Sequence, residues 1–232
     1  MGKQALRERV WDGLEAAGIA RFPFPPHGRI PNFAGAGEAA DRLADTDEWR
    51  DTEALKANPD APQLPARRRA LHAGKTVYMA VPRLRDAEPF LELDPGRIDD
   101  LDAAPTVSSM DEYGRRVGPD AVAGIDLVLV GSVAVAPDGA RVGKGEGYSD
   151  LEYAVLAELG LVGPGTPVAT TVHGRQVVDG APVEPHDVPL DLIATPERLL
   201  RTDAPHGRPD GIDPDRLPAE RREEIPVLER FA

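Results

Sequence analysis

"GIDLVLVGSVAVAPDGARVGKGEGYSDLEYAVLAELG", residues 124–160, joins a near-continuous apolar run to a triple-glycine loop and then to a helix-patterned segment. The run 124–136 lacks the alternation of a half-exposed strand. Apolar side chains on both faces mark a strand in the middle of an α/β sheet. The Gly131-Ser132 pair allows a break within it. Downstream, Leu151, Val155 and Leu159 recur at steps of four, so 150–160 reads as a helix with one apolar stripe. Strand, glycine loop and helix form the local unit of a parallel α/β fold.

The flanking sequence extends the alternation. Leu6, Val10, Leu14 and Ala17 place a helix over 3–17, with Gly18 to end it. Residues 22–37 hold four Pro and three Gly and read as an irregular connection. Segments 36–43, 48–56 and 66–73 look helical. Segments 75–81 and 166–173 look like buried strands, and 190–202 passes from strand to helix near Pro196. Helices alternating with strands predict a three-layer α/β/α domain with a largely parallel sheet over 1–202. The Pro-, Asp- and Arg-rich segment 203–232 reads as an appended tail.

Composition narrows the chemistry. There is no cysteine, so disulfides, thiolate catalysis, iron–sulfur clusters and cysteine-zinc sites are excluded. The 40 acidic against 27 basic residues give a net charge of −13, so bulk attraction to a nucleic-acid backbone is excluded as well. A phosphate ligand must be caught by a local basic cluster. No run approaches the roughly 20 apolar residues of a membrane span, and the N-terminus is charged where a secretory signal is apolar. A cytoplasmic chain is expected, with no membrane partner. The five histidines lack ligand spacing for zinc. His173 and His186 read as surface or capping residues, and the triplet Arg67–Arg69 as surface charge paired with local acids.

The loop itself supports two readings. Glycine at 143, 145 and 147 clears side chains from the backbone, so successive N–H groups can approach a phosphate. The start of the following helix adds its free amides and dipole, and Arg141 and Lys144 add charge. Asp150 at the helix start can cap amides or hold a divalent cation. The spacing matches neither the Walker loop nor the dinucleotide glycine pattern. The other reading is a mobile turn with Asp150 as a plain cap. Lys3 and Arg7, four apart, share a helical face that can meet either a phosphate or solvent.

"RVGKGEGYSD", 141–150, resembles the R-L-G-x-G-x-G-Y-Y-D signature of the 5-formyltetrahydrofolate cyclo-ligase family. Three segments fit in order. "KQALR", 3–7, is similar to the family's opening K-x-x-L-R. "DLVLVGSVAVAPDGARVG", 126–143, follows its lead-in to the loop, and "EPHDVPLDLIATPERLL", 184–200, looks like its closing segment. The resemblance implies an architecture shared with ribose-5-phosphate isomerase and CoA-transferase-like (NagB/RpiA-like) proteins. It implies ATP- and Mg²⁺-dependent conversion of 5-formyltetrahydrofolate to 5,10-methenyltetrahydrofolate, with ADP and phosphate released. In that reaction the formyl oxygen attacks the γ-phosphate, N10 closes the ring and phosphate leaves.

Carried onto this sequence, the resemblance makes Lys3, Arg7, Arg141 and Lys144 the grip on the nucleotide phosphates. Arg141 and Lys144 would be the catalytic cations. Gly143, Gly145 and Gly147 would supply amides, with Glu146, Tyr148 and Ser149 beside them in the nucleotide loop. Asp150 and Asp187 would hold Mg²⁺, and a reduced folate would be the partner. Ser149 stands where the family has a second aromatic. The family's Glu–Thr pair near the folate site has only Glu38 and Glu53 as candidates. "RIPNFAGAGEAADRL", 29–43, looks more like the divergent branch of methenyltetrahydrofolate synthetase domain-containing proteins. Such a divergent member could bind ATP and act on another phosphorylated or pterin-like molecule, or serve as a binding protein without catalysis.

Overall fold

Ala54, Leu55, Lys56 and Ala57 are all buried, so the segment has no solvent face and takes the centre of a sheet rather than a helix. The computed structural model describes residues 1–81, 84–204, 207–213 and 225–231. In chain order the elements begin with α1 (Lys3–Ala16) and a small antiparallel ribbon of β1 (Ala20–Arg21) and β2 (Asn32–Phe33). Then come α2 (Ala36–Ala44), α3 (Asp47–Arg50), β3 (Ala54–Ala57), α4 (Leu64–His72), β4 (Thr76–Ala80) and β5 (Phe90–Leu93). After α5 (Met110–Tyr113) follow β6 (Arg115–Val117), β7 (Leu127–Leu129), β8 (Ala134–Val135) and β9 (Arg141–Val142). The series ends with α6 (Tyr148–Glu158), β10 (Val168–Thr171), β11 (Leu192–Ala194) and β12 (Leu199–Arg201).

The main sheet runs β12-β11-β10-β7-β3-β4-β5-β6. Its central pairs, β11-β10, β10-β7, β7-β3 and β3-β4, are parallel, and antiparallel strands complete both edges. One face packs Leu43 and Ala40 of α2 and Ala66, Ala70 and Leu71 of α4 against Leu55, Val77, Leu127 and Ala169. The other packs Tyr153, Val155 and Leu156 of α6 against Val128, Val168 and Ile193. This is the expected three-layer arrangement with a largely parallel centre. Among the described residues no helix is long and apolar enough to cross a membrane.

The apolar run 124–136 breaks at Gly131-Ser132, as expected. β7 stays in the sheet, while β8 turns out to pair with β9, register Ala134↔Val142 and Val135↔Arg141. This ribbon carries Arg141 and brings the glycine loop to the carboxyl ends of the central strands. α1 packs Leu6, Val10 and Leu14 against Val133, Ala134 and Val142 of the same ribbon.

Several expectations need correction. The helix read over 48–56 is one turn, α3, capped by the Thr46 hydroxyl, which accepts from Trp49 N at 3.2 Å. β3 follows it. Helix propensity in Ala-Leu-Lys gives way to burial between two strands. The helix expected near Pro196 is a tight turn into β12: the Thr195 hydroxyl accepts from Glu197 N and Arg198 N at 3.2 and 3.0 Å. Strands β5 and β6 were not foreseen. Arg67 is 1 % exposed and donates to the carbonyls of Asn58, Pro59, Asp60 and Pro105, so it is no surface charge. Arg69 does pair with Asp41, at 2.5 Å. Of the tail, residues 205–206, 214–224 and 232 lie outside the described residues. Ile225, Val227 and Leu228 are buried in the α6 face of the core.

Lys56 is 1 % exposed and ion-paired with Glu152 of α6, whose carboxylate also accepts from Asn58 Nδ2 at 3.2 Å. Removing one member leaves a buried charge without its counterpart. Lys56→Met is expected to lose about 3–5 kcal/mol in denaturant unfolding, and Lys56→Met combined with Glu152→Leu to regain most of it.

Candidate phosphate-binding site

The carboxyl ends of three neighbouring parallel strands open into one cavity of about 470 Å³. β3 contributes Asn58, Pro59 and Asp60; β4 contributes Ala80 and Val81; β7 contributes Gly131. Ligand sites in open α/β sheets form at this end. The rim is Lys3 and Arg7 of α1, the loop 143–147, the first turn of α6, and the segment carrying Glu184, His186 and Asp187. Every residue that the sequence nominated for the nucleotide and its metal lines this cavity: Lys3, Arg7, Arg141, Gly143, Lys144, Gly145, Glu146, Gly147, Tyr148, Ser149, Asp150 and Asp187.

The local geometry follows from the residue types. Gly145 at φ 111° and Gly147 at φ 72° hold left-handed backbone that a side chain would strain, and Gly147 is the N-cap of α6. No side chain caps that helix start. Arg7 Nε donates to Gly143 O at 2.7 Å, and its guanidinium carbon would lie 3.3 Å from a Cβ placed on Gly145. The first helix and the glycine loop therefore meet. Burial lowers the Arg7 pKa from its ordinary value, against the attraction of Asp187 and Glu184.

Arg141 is 5 % exposed. It pairs with Asp150 and donates to Gly131 O at 3.2 Å, while its buried Nε has no hydrogen bond among the described residues. Asp150 Oδ1 also accepts from Val188 N at 3.0 Å, which brings Asp150 beside the chain at Asp187. Asp150 is thus an ion-pair partner and a brace between segments, and not a cap of α6. Lys144 pairs with Glu146 at 2.9 Å on the exposed rim. Ser149, without an aromatic ring, donates to Asn58 Oδ1 at 3.3 Å.

Lys3 Nζ lies 2.8 and 2.7 Å from the two oxygens of Asp187 and 3.0 Å from Glu184 Oε2. Glu184, His186 and Asp187 bring one ligand atom each to within 4.8 Å of one another. An ammonium between two carboxylates shows that this corner is built around positive charge. Carboxylate oxygens suit Mg²⁺, which takes one or two such ligands and completes its shell with water and phosphate. His186 is an exposed residue, as one of the two roles read for it had it, and it lines this corner with Nε2 at 3.4 Å from Glu184 Oε2. His173 does cap: its Nδ1 accepts from Arg175 N at 3.1 Å, and its ring stands edge-on to Phe33.

The candidates for the folate glutamate do not reach the cavity. Glu53 is exposed at the amino end of β3, and Glu38 sits in the first turn of α2 on the far face of the sheet. The residues missed were Asn58, Asp60 and Glu152. The Asn-Pro-Asp turn after the Ala-Leu-Lys-Ala tetrapeptide was the available signal, hidden by reading that tetrapeptide as helix.

The family model described as the 5-formyltetrahydrofolate cyclo-ligase family matches residues 2–196. The methenyltetrahydrofolate synthase domain-containing protein of Mus musculus is 44% identical over 98% of this chain and 62% of its own length. The Homo sapiens protein of that name is 40% identical over 98% of this chain and 61% of its own. The chain therefore spans about three fifths of these relatives. A 5-formyltetrahydrofolate cyclo-ligase of Mycolicibacterium smegmatis is 32% identical over 38% of the chain and 45% of its own. In fold, the chain resembles the Aquifex aeolicus 5,10-methenyltetrahydrofolate synthetase, with a TM-score of 0.54 at 17% identity, covering 87% of this chain and 93% of that one. By the extent of the family match and the identity to these relatives, the chain belongs to the 5-formyltetrahydrofolate cyclo-ligase family.

Proposed function

We propose that this chain binds ATP with Mg²⁺ in the cavity at the strand ends and uses it to close 5-formyltetrahydrofolate to 5,10-methenyltetrahydrofolate, releasing ADP and phosphate. The observation that carries the reading is the contact of Arg7 with Gly143, which joins the opening helix to the glycine loop around one cavity. Lys3, Arg7, Arg141 and Lys144 neutralise the phosphate oxygens. The amides of Gly145 and Gly147 and the uncapped start of α6 orient them. Asp187 and Glu184 would hold Mg²⁺, with Asp150 alongside, and the ion would supply charge neutralisation for the transferred phosphoryl group. The residues act by position and charge, with no protein nucleophile.

Membership of the family, and the folate-linked names of the relatives, support a reduced folate as acceptor. One observation favours a second reading, in which the phosphate site is kept and the acceptor is another pterin-like or phosphorylated molecule. Ser149 is turned to Asn58 and leaves no second aromatic ring for a flat ligand.

Mixing the protein with 5-formyltetrahydrofolate, ATP and Mg²⁺, at low and high salt, is expected to produce the methenyl absorbance. ATP binding without product would move the assignment to the second reading, and absence of both would remove the catalytic one. By calorimetry, Lys144→Ala and Arg7→Ala should each weaken ATP by about 1.5–3 kcal/mol, the worth of a charge-assisted contact. Lys144 is on the rim, so its variant should keep the parent's unfolding midpoint. Unchanged ATP affinity in both would take the loop out of the site.

A further inference from the structure

Asp60 occupies the N-cap position of the 3₁₀ turn Ala61–Gln63, yet its side chain makes no capping hydrogen bond. Capping is the usual use of an Asp there. The carboxylate makes no hydrogen bond or ion pair with any described residue, and it lines the cavity. Its backbone is fixed from below, where Arg67 donates to Asp60 O at 3.0 Å and to Asn58 O at 2.6 Å. Its carboxylate is packed against Gly131. A Cβ on Gly131 would stand 2.5 Å from Asp60 Oδ2 and 2.9 Å from Ile30 Cγ1, so only glycine leaves room for the acid in this pose.

The charges that face Asp60 are those of Lys144, Arg67, Glu152 and Lys56, with Lys144 of the phosphate loop the strongest attraction. The acid therefore stands where the loop's phosphate grip meets the wall of Ile30, Val81 and Met110. A ligand that fills this cavity has the acid, the loop cations and that apolar wall as neighbours.

We propose that Asp60 is the proton acceptor of ring closure, an inference that rests on the cyclo-ligase reading above. As N10 bonds to the activated formyl carbon, the N10 proton passes to the Asp60 carboxylate. The bond from that carbon to the phosphate oxygen breaks, and the electron pair leaves on phosphate. The proton on Asp60 then returns to solvent, and the product keeps the positive charge of its amidine. Burial raises the carboxyl's pKa above the ordinary aspartate value, which moves the base towards the pH at which it must work.

The test is the pH dependence of methenyl formation by the wild-type chain, Asp60→Asn and Asp60→Glu, with ATP binding measured for each. The base acts deprotonated, so the wild-type rate should fall as pH drops through the raised pKa. Asp60→Asn should lower kcat by about 100-fold or more and lose that acidic limb, with ATP affinity kept within about threefold. Asp60→Glu should recover part of kcat together with the limb. If Asp60→Asn keeps both kcat and the acidic limb, the assignment is wrong while the cyclo-ligase reading stands. Loss of kcat and ATP binding together would show a role in folding the site and also overturn it. A wild-type chain that binds ATP and forms no methenyl product would overturn both readings at once.

Discussion

A lysine in the middle of the sheet sets the geometry of everything around it. Lys56 can lie on β3 only because Glu152 of α6 reaches down to it. An ammonium without that partner would be prohibitively costly inside an apolar layer. The pair fixes how α6 sits on the sheet, and Asn58 extends the restraint. Its amide group donates to Glu152 and accepts from Gly131 N at 3.2 Å and from the Ser149 hydroxyl. One small polar network thus ties β3, the break after β7 and the first turn of α6. Those three backbones form the floor and one wall of the cavity. The glycine loop that precedes α6 inherits its position from them.

A chain with a net charge of −13 gathers four cations at this place, and it does so by pairing them locally. Lys3 is held by Asp187 and Glu184, Arg141 by Asp150, and Lys144 by Glu146. Arg7 is held by a carbonyl. Each cation is preorganised at the cavity, and an acid compensates the charge of Lys3, Arg141 and Lys144. A polyphosphate with its metal brings both signs of charge. It can exchange partners with these pairs without leaving either sign uncovered in a confined space.

Much of this was legible in the sequence, for physical reasons that differ by element. The strand, loop and helix of 124–160 could be read because a buried strand and an amphipathic helix each leave a periodic trace, and glycine marks left-handed backbone. The break at Gly131-Ser132 showed for the same reason. Local pattern does not carry the position of β3. Ala-Leu-Lys-Ala looks helical, and only the neighbours that bury it make it a strand. That single error hid Asn58 and Asp60, since a turn is recognised as the mouth of a sheet only once the strand before it is known. The hairpin of β11 and β12 was missed similarly, because the Thr195 hydroxyl binds the turn that a helix would otherwise begin.

Asp60 stands apart from the pairing rule that governs the rest of the site. Asp150 and Asp187 each meet a cation at contact distance, and Glu146 and Glu184 do so on the rim. A carboxylate added only for charge balance would be expected to do the same. Asp60 keeps its oxygens clear of every described donor, although Arg67 binds the carbonyl of the same residue. The fold therefore spends its guanidinium on fixing the backbone beneath the acid and leaves the acid open to the cavity. A group held rigidly, partly buried and unpartnered is suited to take a partner that arrives with the substrate. In the proposed reaction that partner is an N–H group whose proton has to leave.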